Sequence, residues 1–365
     1  MTDKQLVIVN GYAFCSERVD GITRNAREIL RCIDAMLPDM SPGYRFEIAV
    51  PEANEYVPAY RNIFVRNLSE PRSSVVAKAR WRNQTFPQYV DCMGALGLDM
   101  VLGMPTRGKM CVFDYDCIPE KLPDSCFNKF VKARVWHYMR RMKKSLNNAE
   151  LVFTDSEYAK SEILSYYPIS SEKIIVIPCA WQHMLRVAQD DGIVDRLGLE
   201  DGRFFFSLGS RFPYKNVHWV SCAARQNPQY QFVVTGSEVR VNDRENEGAP
   251  SNLIFTGYLS DEEVKGLEAH CRAFLHPSLA EGFGIPPMEA MSVGAHCIVA
   301  KAASLPEVYG DSVWYIDPTD YDHIDLDEIM STPLAGTNED VLERYSWEKS
   351  ARMLLEALSG IGDRS

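Results

Sequence analysis

The sequence predicts an α/β protein built from two parallel-sheet domains facing across a cleft. Three observations carry that prediction. Short apolar runs alternate with helical patterns through the first half, the pattern of a parallel sheet covered on both faces. After a charge-rich stretch, residues 182–202, the same alternation starts again. At 365 residues the chain is also long for a single hydrophobic core.

Taken in order, Leu6–Asn10 reads as a strand, and Asp20-Gly21-Ile22-Thr23 opens an amphipathic helix. Its apolar positions, Ile22, Ala26, Ile29, Leu30, Ile33 and Leu37, recur at helical spacing. Further strands are expected at Phe46–Val50, Ile63–Val65, Met100–Leu102, Met110–Phe113, Leu151–Thr154 and Ile174–Ile177. The second half places them at Phe204–Leu208, Gln231–Val234, Leu253–Thr256, Ala273–Leu275, Cys297–Val299 and Val313–Ile316. Arg240–Pro250 is polar and contains glycine, which suits an exposed loop, and Ser346-Trp347-Glu348 leads into a last helix, Ala351–Leu358. The expected division is 1–182, 183–345 and a C-terminal helix, 346–365, packing back toward the N-terminal domain.

Composition excludes several classes. The apolar fraction of 46% and charged fraction of 24% are those of an ordinary globular chain. A net charge of -11 argues against nucleic acid as a partner. No apolar run reaches the roughly 18 residues of a membrane span. The N-terminal MTDKQLVIVNGYAF enters a strand without a signal-peptide layout, so a cytoplasmic location is expected. Ten cysteines scattered singly read as reduced thiols. None of the seven histidines has metal-ligand spacing, and each is read as a surface or packing residue.

One segment departs from the acidic background. Lys129–Lys144 holds seven lysines and arginines and no acid, with Val131, Val135, Met139, Met142 and Leu146 at helical spacing. This is either a solvated helix face or a surface for anionic lipid or a phosphate-bearing acceptor.

The chemistry concentrates in Ala273–Met291, AFLHPSLAEGFGIPPMEAM. An apolar strand, a loop with two glycines and a proline-started helix place Glu281 and Glu289 on either side of a strand-to-helix turn. Phe204–Gly209 is a buried strand ending in glycine, with Arg211 and Lys215 just beyond it. Ligands of open parallel sheets lie beyond the carboxyl ends of the strands, so these cations and carboxylates should share one edge. A cation pair there suits a diphosphate; as isolated features, both sets are equally compatible with solvated loops. No G-x-G-x-x-G, P-loop or G-x-S-x-G string occurs, which removes the fingerprints of dinucleotide enzymes, P-loop hydrolases and α/β hydrolases.

Over Phe204–Asp317 the strings LGSRFPYKN, LIFTGYLSDEE, HPSLAEGFGIPPMEAMSVG and SLPEVYGD together resemble the retaining, GT-B-fold glycosyltransferases of family 4. DGITRNAREIL, YDCIP, LVFTDSEYAKSEI and YSWEKSA extend the resemblance over nearly the whole chain. It implies two Rossmann-like domains, the first on the acceptor side and the second holding a nucleotide-sugar donor. Glu281 would contact the donor sugar, Glu289 the ribose, and Lys215 the diphosphate. Gly282, Phe283, Gly284 and Ile285 would line the donor, as would Gly209, Ser210, Tyr258 and Leu259. Gly21 and Ile22 match the family's glycine loop. Ser210 stands where the family carries arginine, with Arg211 one position later, and Tyr115-Asp116 replaces the usual His-Asp. Lys215, Arg211, Glu281 and Asp116 are the catalytic expectations.

The resemblance also implies transfer of a hexose or deoxyhexose with retention, from an NDP-sugar to a glycan or lipid-linked glycan, in O-antigen or capsule biosynthesis. Asp114-Tyr115-Asp116 matches D-x-D, yet the family generally needs no metal, so neither metal nor cofactor is expected. GDP-mannose, dTDP-rhamnose and UDP-hexoses all remain open as donors. An epimerase or phosphorylase on the same fold, or a non-catalytic sugar-nucleotide binder, are the alternatives. Peripheral contact with the inner face of the cytoplasmic membrane would run through the 129–144 helix.

Overall fold

The computed structural model describes residues 5–17, 19–40, 43–72, 74–101, 104–126, 131–209, 212–236 and 250–362. The chain divides into two compact units. One comprises Met1–Glu120, Phe130–Cys179 and Trp347–Ser365; the other comprises Lys121–Lys129 and Ala180–Ser346.

The first unit holds seven parallel strands: β1 (Gln5–Asn10), β2 (Tyr44–Val50), β3 (Phe64–Asn67), β4 (Leu96–Asp99), β5 (Met110–Phe113), β6 (Val152–Thr154) and β7 (Ile174–Val176). Their order is β3-β2-β1-β4-β5-β6-β7. The chain steps outward from β1 to β3, then returns to the other side of β1 at β4. Right-handed crossovers in opposite directions leave a gap at that reversal, between the carboxyl ends of β1 and β4.

The second unit repeats this plan with β8 (Phe204–Leu208), β9 (Gln231–Thr235), β10 (Leu253–Gly257), β11 (Ala273–His276), β12 (Cys297–Ala300) and β13 (Trp314–Ile316). The order β10-β9-β8-β11-β12-β13 puts the reversal between β8 and β11. Phe204, Phe205 and Phe206 on β8 are fully buried, because a central parallel strand is covered on both faces.

One strand lies elsewhere than the apolar runs suggest. Met100–Leu102 is not a strand in its described part, Met100 and Val101; β4 precedes it, pairing Gly97 with Met110 and Val7 with Leu96. A Cβ on Gly97 would come within 2.1 Å of Met110 Sδ, so the close approach of β5 requires glycine there. Glycine and Asp99 within β4 weaken its apolar signal. The basic segment forms the helix Val131–Asn148, seated by Met142 and Leu146, while its Lys129 lies outside the described residues. Of the expected loop Arg240–Pro250, only Pro250 is described.

The last helix, Trp347–Gly362, packs against Gly21–Met36 within the first unit. Trp347, Ala351, Leu354 and Leu358 are buried in that seam, and Tyr44 Oη donates to Leu355 O at 3.4 Å. Leu354→Ala should therefore lower the free energy of the unfolding transition that includes this unit by about 2–5 kcal/mol in a denaturant titration. Met353, 39% exposed on the same helix, supplies the control: its alanine variant should stay within about 0.5 kcal/mol of the parent.

Candidate functional site

The loops after β8 and β11 are tied to each other before any charge is considered. Gly209 follows β8, and a Cβ there would meet Val234 Cγ1 at 2.6 Å, so only glycine lets the chain leave the sheet at that point. Ser210 and Arg211 lie outside the described residues. The turn Pro213–Lys215 ends on Asn216, whose φ of 56° is left-handed, a conformation asparagine tolerates better than most side chains. Asn216 Nδ2 donates to Pro277 O at 3.1 Å and Pro318 O at 2.8 Å, and Leu279 N donates to Tyr214 O at 2.8 Å.

These bonds bring Lys215 Nζ to 2.7 Å from Glu281 Oε1, across the β8/β11 reversal. Burial pushes the Glu281 carboxyl up, but the Lys215 ammonium, then His276, outweigh it and hold the group well below the usual carboxylate range. His276, the last residue of β11, places Nε2 3.0 Å from the same oxygen without the alignment of a hydrogen bond. Burial lowers the His276 pKa, against the opposing pull of Glu281.

The turn itself is clamped from behind. Ser304 Oγ donates to Glu281 O at 3.1 Å. Gly284 has φ 84°, and a Cβ there would meet Leu305 Cδ2 at 2.5 Å. Tyr309 Oη donates to Gly284 O and accepts from Met288 N at 3.2 Å. Phe283 is buried edge-on against Tyr345, with centroids 5.2 Å apart, and Gly282 beside it is buried. Ile285 begins the helix Ile285–Met291 with Pro286 and Pro287 in its first turn. Glu289, one turn on, has its Oε1 2.6 Å from His183 Nε2.

The remaining expected positions are more dispersed. Tyr258 is 70% exposed just after β10, with Leu259 half-buried next to it. Gly21, Ile22 and Asp116 belong to the first unit. Gly21 and Ile22 open the helix Gly21–Met36, whose cap Asp20 accepts from Thr23 N at 2.8 Å. Tyr115 is buried, accepting from Asn25 Nδ2 at 3.0 Å and donating to Met100 O at 2.8 Å. Asp116 Oδ1 accepts from Ile118 N at 3.0 Å, a turn-capping bond. Burial, then Glu120, Asp116 and Asp155, push the buried Asp114 carboxyl well above its ordinary range. Among the described residues, no three His, Cys, Asp or Glu side chains are grouped to hold a metal ion.

Sequence reading missed the two histidines that touch the two glutamates. His276 had a signal, its place at the end of an apolar strand directly before the glutamate loop. His183 had none, since it lies 106 residues from Glu289 and meets it only through the fold.

Residues 191–331 match the family model described as glycosyl transferases group 1. The chain is 27% identical over 253 residues to the O-antigen chain mannosyltransferase B of Escherichia coli, an alignment covering 64% of this chain and 66% of that protein. It is 28% identical over 246 residues to the serotype-specific mannosyltransferase WbdA of Escherichia coli, covering 61% of this chain and 30% of that protein. The matched stretch thus spans less than two thirds of either relative. Among solved structures, sucrose-phosphate synthase from Thermosynechococcus elongatus aligns with a TM-score of 0.77 at 15% identity, over 99% of this chain and 100% of that one. Anabaena HepE, solved in complex with UDP and glucose, aligns with a TM-score of 0.67 at 17% identity, over 98% and 100%. The fold is the GT-B fold of glycosyltransferases.

The lowered pKa of His276 fixes the sign of a pH effect. Burial makes the folded ring give up its proton more readily than the unfolded chain, whose histidine has its ordinary value of about 6.5. Stability from this group is present above about pH 6.5 and is lost as pH falls below it, by at most about 1.4 kcal/mol per pH unit. Unfolding free energies of the parent and His276→Gln, compared between pH 5 and 7, should converge as pH falls. Parallel curves would contradict a lowered His276 pKa.

Proposed function

We propose, taking as premise that residues 191–331 form a glycosyl transferases group 1 domain, that the chain transfers a mannosyl residue with retention from a nucleoside-diphosphate mannose to a growing cell-surface glycan. The sugar and the glycan are suggested by the mannosyltransferase names of its relatives. The observation that carries the reading is the Lys215–Glu281 pair at the β8/β11 reversal.

The pair suits a diphosphate donor for an electrostatic reason. Lys215 is a compact cation whose partner is a single carboxylate oxygen. A diphosphate oxygen can take that place at Nζ, which frees an already ionised Glu281 to accept from sugar hydroxyls. Glu289, oriented by His183, is placed to accept from ribose hydroxyls. Phe283 and Gly284 offer backbone N–H groups. As the C1–O bond to the diphosphate breaks, Lys215 stabilises the departing charge, with Arg211 in the proposed role of second cation. The acceptor oxygen bonds to C1 on the face being vacated, and its proton passes to a phosphate oxygen of the leaving group. No metal is required by this scheme.

Lys215→Gln and Glu289→Gln should each lower kcat/KM for the donor by about tenfold or more, the effect of deleting a charged hydrogen-bond partner. A thermal-shift screen over GDP, UDP, dTDP and their sugars identifies the base. NMR of the product tests the stereochemistry: an α-donor should give an α-linked product, and a β-linked product would rule retention out.

The Val131–Asn148 helix gives the reading a location. Trp136 is 62% exposed with the Arg140 guanidinium 5.4 Å over its ring, and Lys132, Arg134, Lys143 and Lys144 are also exposed. No helix among the described residues is long and apolar enough to cross a membrane. An interfacial tryptophan within a cationic face suits peripheral contact with anionic lipid. Binding to phosphatidylglycerol vesicles should be salt-sensitive and fall about tenfold in Trp136→Ala/Lys143→Glu/Lys144→Glu. Equal binding to phosphatidylcholine vesicles would count against an electrostatic contact.

A further inference from the structure

The reversal of strand order in the first unit, between β1 and β4, is a ligand position by the same topological rule that places Lys215 and Glu281 in the second. Its residues differ in character. Asn10 ends β1 and Asp99 ends β4, and Asn10 Nδ2 donates to Asp99 Oδ2 at 3.0 Å across the reversal. Asn10 Oδ1 accepts from Trp81 Nε1 at 2.9 Å, and Asp99 Oδ1 accepts from Val101 N at 3.1 Å. Each Asp99 oxygen thus accepts from a neutral donor.

Two arginines share the field of that one carboxylate. Arg82 is half-buried in the π-helical turn Trp81–Thr85, and Arg141 is half-buried on the Val131–Asn148 helix. Each Nε is buried without a hydrogen-bond partner. Arg82 makes no hydrogen bond or ion pair to any of the described residues, and Arg141 spends one donor, from Nη2 to Met104 O at 2.8 Å. Arg82 follows Trp81, which is bonded to Asn10 at the end of β1, and Arg141 is bonded to Met104 in the segment after β4, so both lie on this edge of the sheet; burial first, then Arg82, lowers the Arg141 pKa to about 10. Burial likewise lowers that of Arg82, with Asp99 opposing.

Holding two guanidinium groups together, each with a buried unsatisfied N–H, works against folding unless something compensates. Single-turn π-helical bulges are found frequently at functional sites. Each guanidinium carries five donors in a planar fork, so nearly all of the pair's donors are left over. A group with several acceptor oxygens and negative charge satisfies them, and phosphoryl, with three terminal oxygens against two in a carboxylate, offers two guanidinium forks the most acceptors.

We propose that Arg82 and Arg141 form an anion site that takes a phosphate or diphosphate group carried by the acceptor substrate. The acceptor assignment rests on the glycosyltransferase reading above; the anion site itself does not. Its position at a strand-order reversal and the unused donors of two neighbouring arginines are the observations that carry it.

Inorganic pyrophosphate is the probe, titrated into the full chain by calorimetry and thermal shift, alone and with saturating GDP and UDP. Pyrophosphate should bind and stabilise the parent in both conditions. Arg82→Gln and Arg141→Gln should each weaken that binding at least tenfold, and Arg82→Lys should fall between. In pyrophosphate-free buffer Arg82→Gln should melt no lower than the parent, because it relieves repulsion and breaks no hydrogen bond. A merely structural arginine would give the opposite. If Arg141→Gln fails to fold for want of its bond to Met104, Arg82→Gln decides alone. Unchanged pyrophosphate binding in folded Arg82→Gln overturns the site. Loss of pyrophosphate binding once GDP or UDP is present overturns the acceptor assignment, since the phosphoryl group would then be the donor's. Lys215→Gln separates the two readings: it should weaken GDP and UDP binding about tenfold or more while leaving the Arg82-dependent response intact. Nucleotide binding left unchanged by this substitution would sink the donor reading and leave the arginine result standing.

Discussion

Two opposite charges from non-consecutive strands meet at 2.7 Å because β8 and β11 are neighbours that run the same way and end at the same edge. Everything else in the candidate site follows from making that meeting rigid. The left-handed Asn216 turn, its two bonds to proline carbonyls, and the Leu279–Tyr214 bond lock one loop against the other. Tyr309 and Ser304 hold the second loop from beneath. A partly buried ion pair is a poor source of stability, since desolvation offsets most of its Coulomb energy. Its persistence here fits a position reserved for exchange with an anionic ligand.

Much of this was legible in the chain itself. The apolar run of β8, the two glycines after β11 and the paired prolines at 286 and 287 are local signals, and local signals survive translation into structure. β4 was not legible, because the glycine that lets β5 approach is a poor strand former on its own. The same holds for contacts set by topology. His183 reaches Glu289, and Arg141 comes under the influence of Arg82 and Asp99, only after the sheets are assembled. Solvated-loop and functional readings of Lys215 could not be separated by spacing; the 2.7 Å contact with Glu281 is tertiary information.

The two sheets use one architectural rule with different chemistry at each reversal. In the second unit a lysine is matched to a carboxylate, and both are held by backbone bonds. In the first, two arginines lie near a carboxylate whose oxygens already have partners. The contrast is between a site whose cation has a carboxylate partner and one whose cations do not.

The discontinuity of the first unit has a consequence for biosynthesis. Helix Gly21–Met36 is translated long before Trp347–Gly362, the helix that packs against it. At about 5–20 residues per second the nascent chain spends tens of seconds before that contact can form. The first unit thus completes its packing only after the second has been synthesised, which makes the growing polypeptide a natural client for holdase chaperones.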